Sequence, residues 1–263
     1  MKDFFNSIFV PLLYQPIFNA LIFLAWLIPG HSIGWAIIGL TVLIRLLLLP
    51  TANQTFVQQA RMKALQPKVD ALKDIHGHDK AAHSKATMEL YAAEKFNPLG
   101  GCLPSLIQLP ILIVMYRVFV DGLTTEHFSL LYSFTPHMSD INTSWLGFNL
   151  TKPDLWILPI LAGLGQYFQA KQMADMNKPV DGKVDPNDMT AAMSKQFMYL
   201  FPIMTIFIAR SLPAAMSVYW IIFSLFSVVH HAWYFRTERA LPAPKVNNTK
   251  DGVTVSVRKK SED

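Results

Sequence analysis

Five stretches of this chain are apolar and almost free of charge: residues 33–56, 98–120, 154–170, 196–209 and 213–235. A bilayer core about 30 Å thick takes about 20 apolar residues in helix. Only 16% of the chain is Asp, Glu, Lys or Arg, against roughly 25% in soluble domains. That is too little polar surface to cover five such segments in water, so each predicts a transmembrane helix, the third a short one. Only Arg210, Ser211 and Leu212 separate the last two, which predicts a tight helical hairpin. Upstream, Ile17–Ile28 is bracketed by Pro16 and by Pro29-Gly30, residues that stop helices. A dozen residues rise only ~18 Å. Residues 1–32 are therefore expected to hold a helix lying in the membrane interface; the alternative, a sixth span beginning near Ile8, would have to hold Pro11 and Pro16 inside a helix. The expected fold class is an all-α integral membrane protein with a five-transmembrane-helix bundle.

Basic residues set the expected orientation, because cytoplasmic loops retain Lys and Arg. Segment 57–97 carries Arg61, Lys63, Lys68, Lys73, Lys80, Lys85 and Lys95. Segment 171–195 carries Lys171, Lys178, Lys183 and Lys195, and segment 236–263 has seven more Lys and Arg. Between them, 121–153 holds only Lys152. The alternation predicts 57–97, 171–195 and 236–263 inside and 121–153 outside, with the N-terminus outside and the C-terminus cytoplasmic. No basic n-region with a small-residue cleavage site opens the chain, so no cleavable signal is expected. A single cysteine, Cys102, excludes a disulfide framework. The net charge of +5 suggests contact with the ribosome or with anionic lipid.

Segment 57–97 is rich in helix formers and breaks at His76-Gly77-His78. Met62, Leu65, Val69 and Leu72 recur at three- and four-residue steps, as on an amphipathic helix. An antiparallel helical hairpin projecting into the cytoplasm follows. Segment 175–190, with Pro179, Gly182 and Pro186, reads as a mobile loop. Segment 241–263, with almost no large apolar residue, reads as a disordered basic tail.

The singular residue is Arg45, alone in an apolar run. It lies ~18 Å along the helix from Ile33, with Thr41 one turn earlier on the same face. A charge at bilayer depth costs about 2.5–3.5 kcal/mol on insertion scales. Two placements are open: a polar cavity inside the bundle, or snorkelling to the inner headgroups. Gln108, Gln166, Ser217, Ser224 and Ser227 also fall within spans; each either bonds a neighbouring helix or lines the same cavity. No Asp or Glu sits inside any span beyond its first residue, which argues against a proton- or cation-coupled transporter. No HExxH, GxSxG, Walker A or GxGxxG motif occurs. His76, His78 and His83 read as surface histidines. No catalytic residue, metal site or cofactor is expected, and the chain is not expected to be an enzyme.

Several of these segments resemble one family. Asn97-Pro98-Leu99-Gly100-Gly101-Cys102-Leu103-Pro104, continuing through Gln108 and Pro110, resembles the second core span of the YidC/Oxa/Alb membrane protein insertases. Thr41 to Arg45 with Pro50 resembles the first core span. Ala64-Leu65-Gln66-Pro67-Lys68 resembles the start of the cytoplasmic hairpin. Leu158-Pro159 resembles the third span, and Pro213-Ala214-Ala215-Met216 with Tyr219-Trp220 the fifth. The likeness runs from about Tyr14 to Arg236. It is to a short bacterial form, without the large periplasmic domain and extra N-terminal span of the Gram-negative versions. The chain departs from the pattern at Ala215, where the family usually has Gly, and at Ser224, where it often has Asn.

The resemblance implies a bacterial cell-membrane insertase and chaperone. Its positively charged hydrophilic groove would be open to the cytoplasm and to lipid, and it would use no nucleotide. Thr41, Arg45 and Gln108 would face that groove, Tyr219 and Trp220 would contact the incoming segment, and Ser224 is a further groove candidate. The implied partners are nascent membrane protein clients, the ribosome through the hairpin and basic tail, the Sec translocon and the lipid bilayer, with no DNA. The rival reading is a small-anion transporter or channel using Arg45 as its ligand site. It predicts internal repeats, and none is visible in the sequence.

Overall fold

A computed structural model of the chain describes residues 5–76, 79–97, 103–120, 129–138, 141–176, 189–237, 245–249 and 252–256. Pro98–Cys102, most of the 175–190 loop and the extreme C-terminus lie outside the described residues. The fold is all-α apart from two small hairpins. A π-helical stretch Phe5–Tyr14 runs straight into α1 (Gln15–Leu27). There follow α2 (Ile33–Leu47), α3 (Leu49–His76), α4 (Lys80–Ala93) and α5 (Leu103–Val120). A β-hairpin pairs β1 (Ser144–Trp145) with β2 (Phe148–Asn149). Then come α6 (Ile157–Met176), α7 (Met189–Ala209) and α8 (Ala214–Thr237).

The expectation that Pro11 and Pro16 confine the first helix is corrected. Helical bonding passes through Pro11 because the turn is widened there, which eases the clash of a proline ring with the preceding turn. Pro16 sits in the first turn of α1, directly after that widened stretch. Phe9–Leu27 is thus long and apolar enough to cross a bilayer, so the length argument for an interfacial helix fails. The tertiary contacts bear on its placement differently. Gln15 and Asn19 bond the 130–135 segment, and just past the other end of α1 His31 and Ile33 bond Asn142.

The first expected span is also not one straight helix through residue 56. The axis bends by 58° between Ile33–Leu47 and Leu49–Leu72. Leu48 leaves helical geometry, and Pro50, lacking an N–H, suits the first turn of the new helix. Residues 49–56 therefore belong to α3. By length and apolarity, the described residues contain two bilayer-length helices, Phe9–Leu27 and Ala214–Thr237, or three with the bent pair. The apolar parts of α5 and α7 are shorter, Gln108–Val120 and Met198–Ala209.

The core runs through α1 (Phe18, Leu21, Ile22), α2 (Ile33, Ile37, Leu40), α5 (Val114, Met115, Val118) and α8 (Ala215, Met216, Tyr219). Outward, the bundle presents Leu43, Leu46 and Leu47 on α2, Leu161, Leu164 and Phe168 on α6, and Leu225, Val229 and Trp233 on α8. That surface suits lipid. Helix α6 packs closely between α7 and α8. A Cβ on Gly163 would meet the Pro202 carbonyl at 3.2 Å, and one on Gly165 the Ser224 Cβ at 3.1 Å. Small residues let helix backbones approach in a membrane, where van der Waals packing drives association.

Outside the bundle, Asp154 accepts from the Leu158 N–H at 2.6 Å and so caps α6. Lys152 and Leu150 carbonyls accept from the Ala214 and Ala215 N–H groups, capping α8 with backbone. Leu146 and Gly147 turn the β1–β2 hairpin with φ of 48° and 85°. The α3–α4 hairpin is closed by Asp79, which accepts from the Ala81 and Ala82 N–H groups. Lys68 pairs with Glu94 across it, beside buried Leu65 and Phe96. His83 lies within α4, not in a loop. The tail expected to be disordered contains a second hairpin, β3 (Lys245–Thr249) with β4 (Gly252–Ser256). Alternating Val and Thr in 252–256 supply the β-branched residues that favour strands.

Candidate functional site

Arg45 lies in the last turn of α2, where a cation is favoured by the helix dipole. It does not snorkel out of the bundle. Its Nη2 donates to the Phe223 carbonyl at 3.2 Å and to the Ser227 hydroxyl. Its guanidinium carbon stands 3.6 Å from the centroid of the Phe223 ring and 5.9 Å from that of Phe226. Among the described residues no carboxylate meets it. A desolvated cation–π contact contributes about 2 kcal/mol, and a hydrogen bond from a charged donor about 1.5–3 kcal/mol. Together these are comparable with the insertion cost of an arginine, so they offset the charge without a counter-ion among the described residues. Its Nε is buried with no partner.

Gln108 and Tyr219 meet directly, the amide Nε2 donating to the phenol oxygen and tying α5 to α8. Tyr219 is only 2% exposed and sits within electrostatic range of Arg45. The structure thus gathers Arg45, Gln108 and Tyr219 around one stretch of α8. It places the other candidates differently. Thr41 is buried and its hydroxyl donates to the Ile37 carbonyl at 2.6 Å, so it is spent on its own helix. Ser224 is fully buried against Gly165 of α6, and its hydroxyl has no partner among the described residues. Trp220 is half-buried and packs against the core.

Phe223 and Phe226 were not singled out from the sequence, and Ser227 only as one polar residue among several. The available signal was spacing: Tyr219, Phe223 and Ser227 are four residues apart and share one face of α8. Towards the other end of α8, His230 Nε2 and Asn53 Oδ1 lie 2.9 Å apart. Phe56 sets its ring 5.0–5.6 Å from those of His230, His231, Tyr234 and Phe235. The start of α3 is therefore anchored to the end of α8, two turns beyond the guanidinium.

A stacked cation that meets no carboxylate among the described residues, with an amide and a phenol beside it, can attract an anion and orient polar groups. It offers no nucleophile paired with a base. The profile of the family described as 60Kd inner membrane protein matches residues 24–240. A protein of Pseudomonas paraeruginosa named Membrane protein insertase YidC is 35% identical over 225 residues, covering 84% of this chain and 33% of that protein. One of the same name from Ectopseudomonas mendocina is 32% identical over 239 residues, covering 91% of this chain and 36% of the relative. The chain thus spans about a third of the length of the curated relatives it matches. Among solved structures, an active YidC insertase crystal structure with the first transmembrane domain resolved superposes with a TM-score of 0.54 at 22% identity, over 82% of this chain and 45% of that one.

Proposed function

Because the chain belongs to the 60Kd inner membrane protein family, the YidC/Oxa/Alb insertases, we propose that it inserts nascent membrane proteins into the bacterial inner membrane and assists their folding, without nucleotide hydrolysis. Arg45 carries this reading: a partly buried guanidinium, at membrane depth in this proposal, that meets no carboxylate among the described residues. A client's extracytoplasmic tail is polar and often acidic, and its passage through dry hydrocarbon is expensive. A hydrophilic groove reaching part-way across shortens the dry path, and Arg45 draws the tail into it. The client's apolar segment then moves along α6 and α8 into lipid, past the outward-facing Leu161, Leu164 and Phe168 and Leu225 and Val229.

In this proposal five spans enclose the groove, with the N-terminus outside and the C-terminus inside. Helix α1 rests on the outer surface, a placement supported by the bonds at its two ends to the 130–142 region. The α3–α4 hairpin receives the chain, the basic tail touches the ribosome, and the Sec translocon is a further partner. Gln108 and Tyr219 present polar groups to the passing segment, while Trp220 lines its exit. Arg45→Lys should retain partial insertion of a single-span client with an acidic tail, and Arg45→Ala should lose most of it. The assay is protease protection of the translocated tail in reconstituted vesicles. Equal insertion by Arg45→Ala and the unaltered chain would overturn the proposal.

A further inference from the structure

The Nη2 of Arg45 carries two hydrogens and meets two acceptors, the Phe223 carbonyl at 3.2 Å and the Ser227 hydroxyl oxygen. Ser227 in turn donates its own hydrogen to the Phe223 carbonyl at 2.7 Å, so a lone pair of its oxygen is left to face the guanidinium. A guanidinium grips a carboxylate at two points in only two ways, end-on through Nη1 and Nη2 or side-on through Nε and Nη2. Both forks need Nη2. The Phe223 ring covers one face of the group at 3.6 Å. What remains is Nη1, because Nε, without a partner among the described residues, is itself buried; Nη1 alone completes neither fork. Two-point arginine–carboxylate pairs are the strong ones.

We infer that Ser227, with the Phe223 carbonyl, limits Arg45 to one-point contact with client carboxylates, so that an acidic tail is attracted into the groove yet released from it. Ser227 is a positioning residue that acts through Arg45. The inference rests on the insertase reading and adds to it a determinant of client residence. A site that carries cargo across half a membrane must not become its resting place. The network around Nη2 is the reason for Ser227 to matter.

The test uses the full purified chain in phosphatidylethanolamine/phosphatidylglycerol vesicles. Two single-span client polypeptides are compared, one with Asp and Glu in the tail and one with Asn and Gln at the same places. A photoreactive group in the tail is activated at intervals after mixing, and the decay of crosslinking gives the residence time. Ser227→Ala frees an Nη2 hydrogen and should lengthen residence of the acidic client about five-fold, equivalent to about 1 kcal/mol. The neutral client should leave at its usual rate, and Ser227→Thr should restore normal release of the acidic one. Unchanged release by Ser227→Ala, or equal slowing of both clients, overturns the inference while Arg45→Ala still separates the two clients. If Arg45→Ala treats acidic and neutral clients alike, it is the insertase role of Arg45 that fails.

Discussion

Asn19 is buried in α1, 3% exposed, and all four of its hydrogen-bonding positions are used. Its Nδ2 donates to the Gln15 carbonyl at 2.8 Å and the Leu130 carbonyl at 3.0 Å. Its Oδ1 accepts from the Tyr132 N–H and from the Thr135 hydroxyl, both at 2.7 Å. Asn19→Ala leaves the Leu130 carbonyl bonded to Gln15 Nε2 but strands two donors. A buried donor without a partner costs about 1–3 kcal/mol, so the expected loss is about 3 kcal/mol. At ~2–4 °C per kcal/mol for a chain of this size, the unfolding midpoint falls by roughly 6–12 °C. Thr135→Val removes one of the two donors together with its need for a partner, and should cost about 1 kcal/mol. Because that donor is already orphaned by Asn19→Ala, the double variant should be no less stable than Asn19→Ala alone. Tryptophan fluorescence of the detergent-solubilised protein on heating measures the midpoints, and limited proteolysis reads cleavage within residues 129–135. A midpoint within 2 °C of the unaltered chain for Asn19→Ala, or additive losses in the double variant, would refute the accounting.

Two further perturbations probe the β1–β2 hairpin and the proposed orientation. Leu146 is exposed at the hairpin tip with φ of 48°, a conformation that costs an L-residue about 1–2 kcal/mol; Leu146→Gly should raise the unfolding midpoint by a few degrees, and a fall would show that the side chain contributes more than the strain removes. Cysteines placed at Ser84 and Thr143, with Cys102 replaced, should react with an impermeant thiol reagent from opposite faces of the membrane; labelling from one face refutes the orientation.

What was legible in the sequence was whatever local pattern encodes. Arg45 stands out because a charge inside an apolar run has few physical explanations. The break at His76-Gly77-His78 stands out because glycine interrupts a run of helix formers, whereas the Asp79 cap beyond it was not read. The π-widened turn at Pro11 was not legible, because proline is read as a stop and the relief of its clash depends on the whole turn. Nor was Asn19, whose partners lie more than a hundred residues away and leave no periodic trace. Ser224 shows how a residue type misleads. A serine in a span suggests a polar lining, yet its position against Gly165 makes it part of a close helix crossing. The same sequence reading missed Phe223 because aromatic residues in an apolar span carry no distinguishing mark until the cation beneath them is located.

The backbone bonds that cap α8 have a consequence in time. Pro153 pairs with Pro213 in an isolated bridge, and Lys152 and Leu150 bond Ala214 and Ala215. The whole α6–α7 excursion leaves and returns through that junction. A ribosome adds ~5–20 residues per second, so the far side of the junction is made about 3–12 s after the near side. During that interval α6 and α7 exist while the knot of backbone beneath them is untied. The junction is therefore sealed as α8 begins, before the Phe223 and Ser227 of that same helix, which enclose Arg45, are made. Arg45 itself precedes Phe223 by 178 residues, so the cation is made well before the side chains that enclose it.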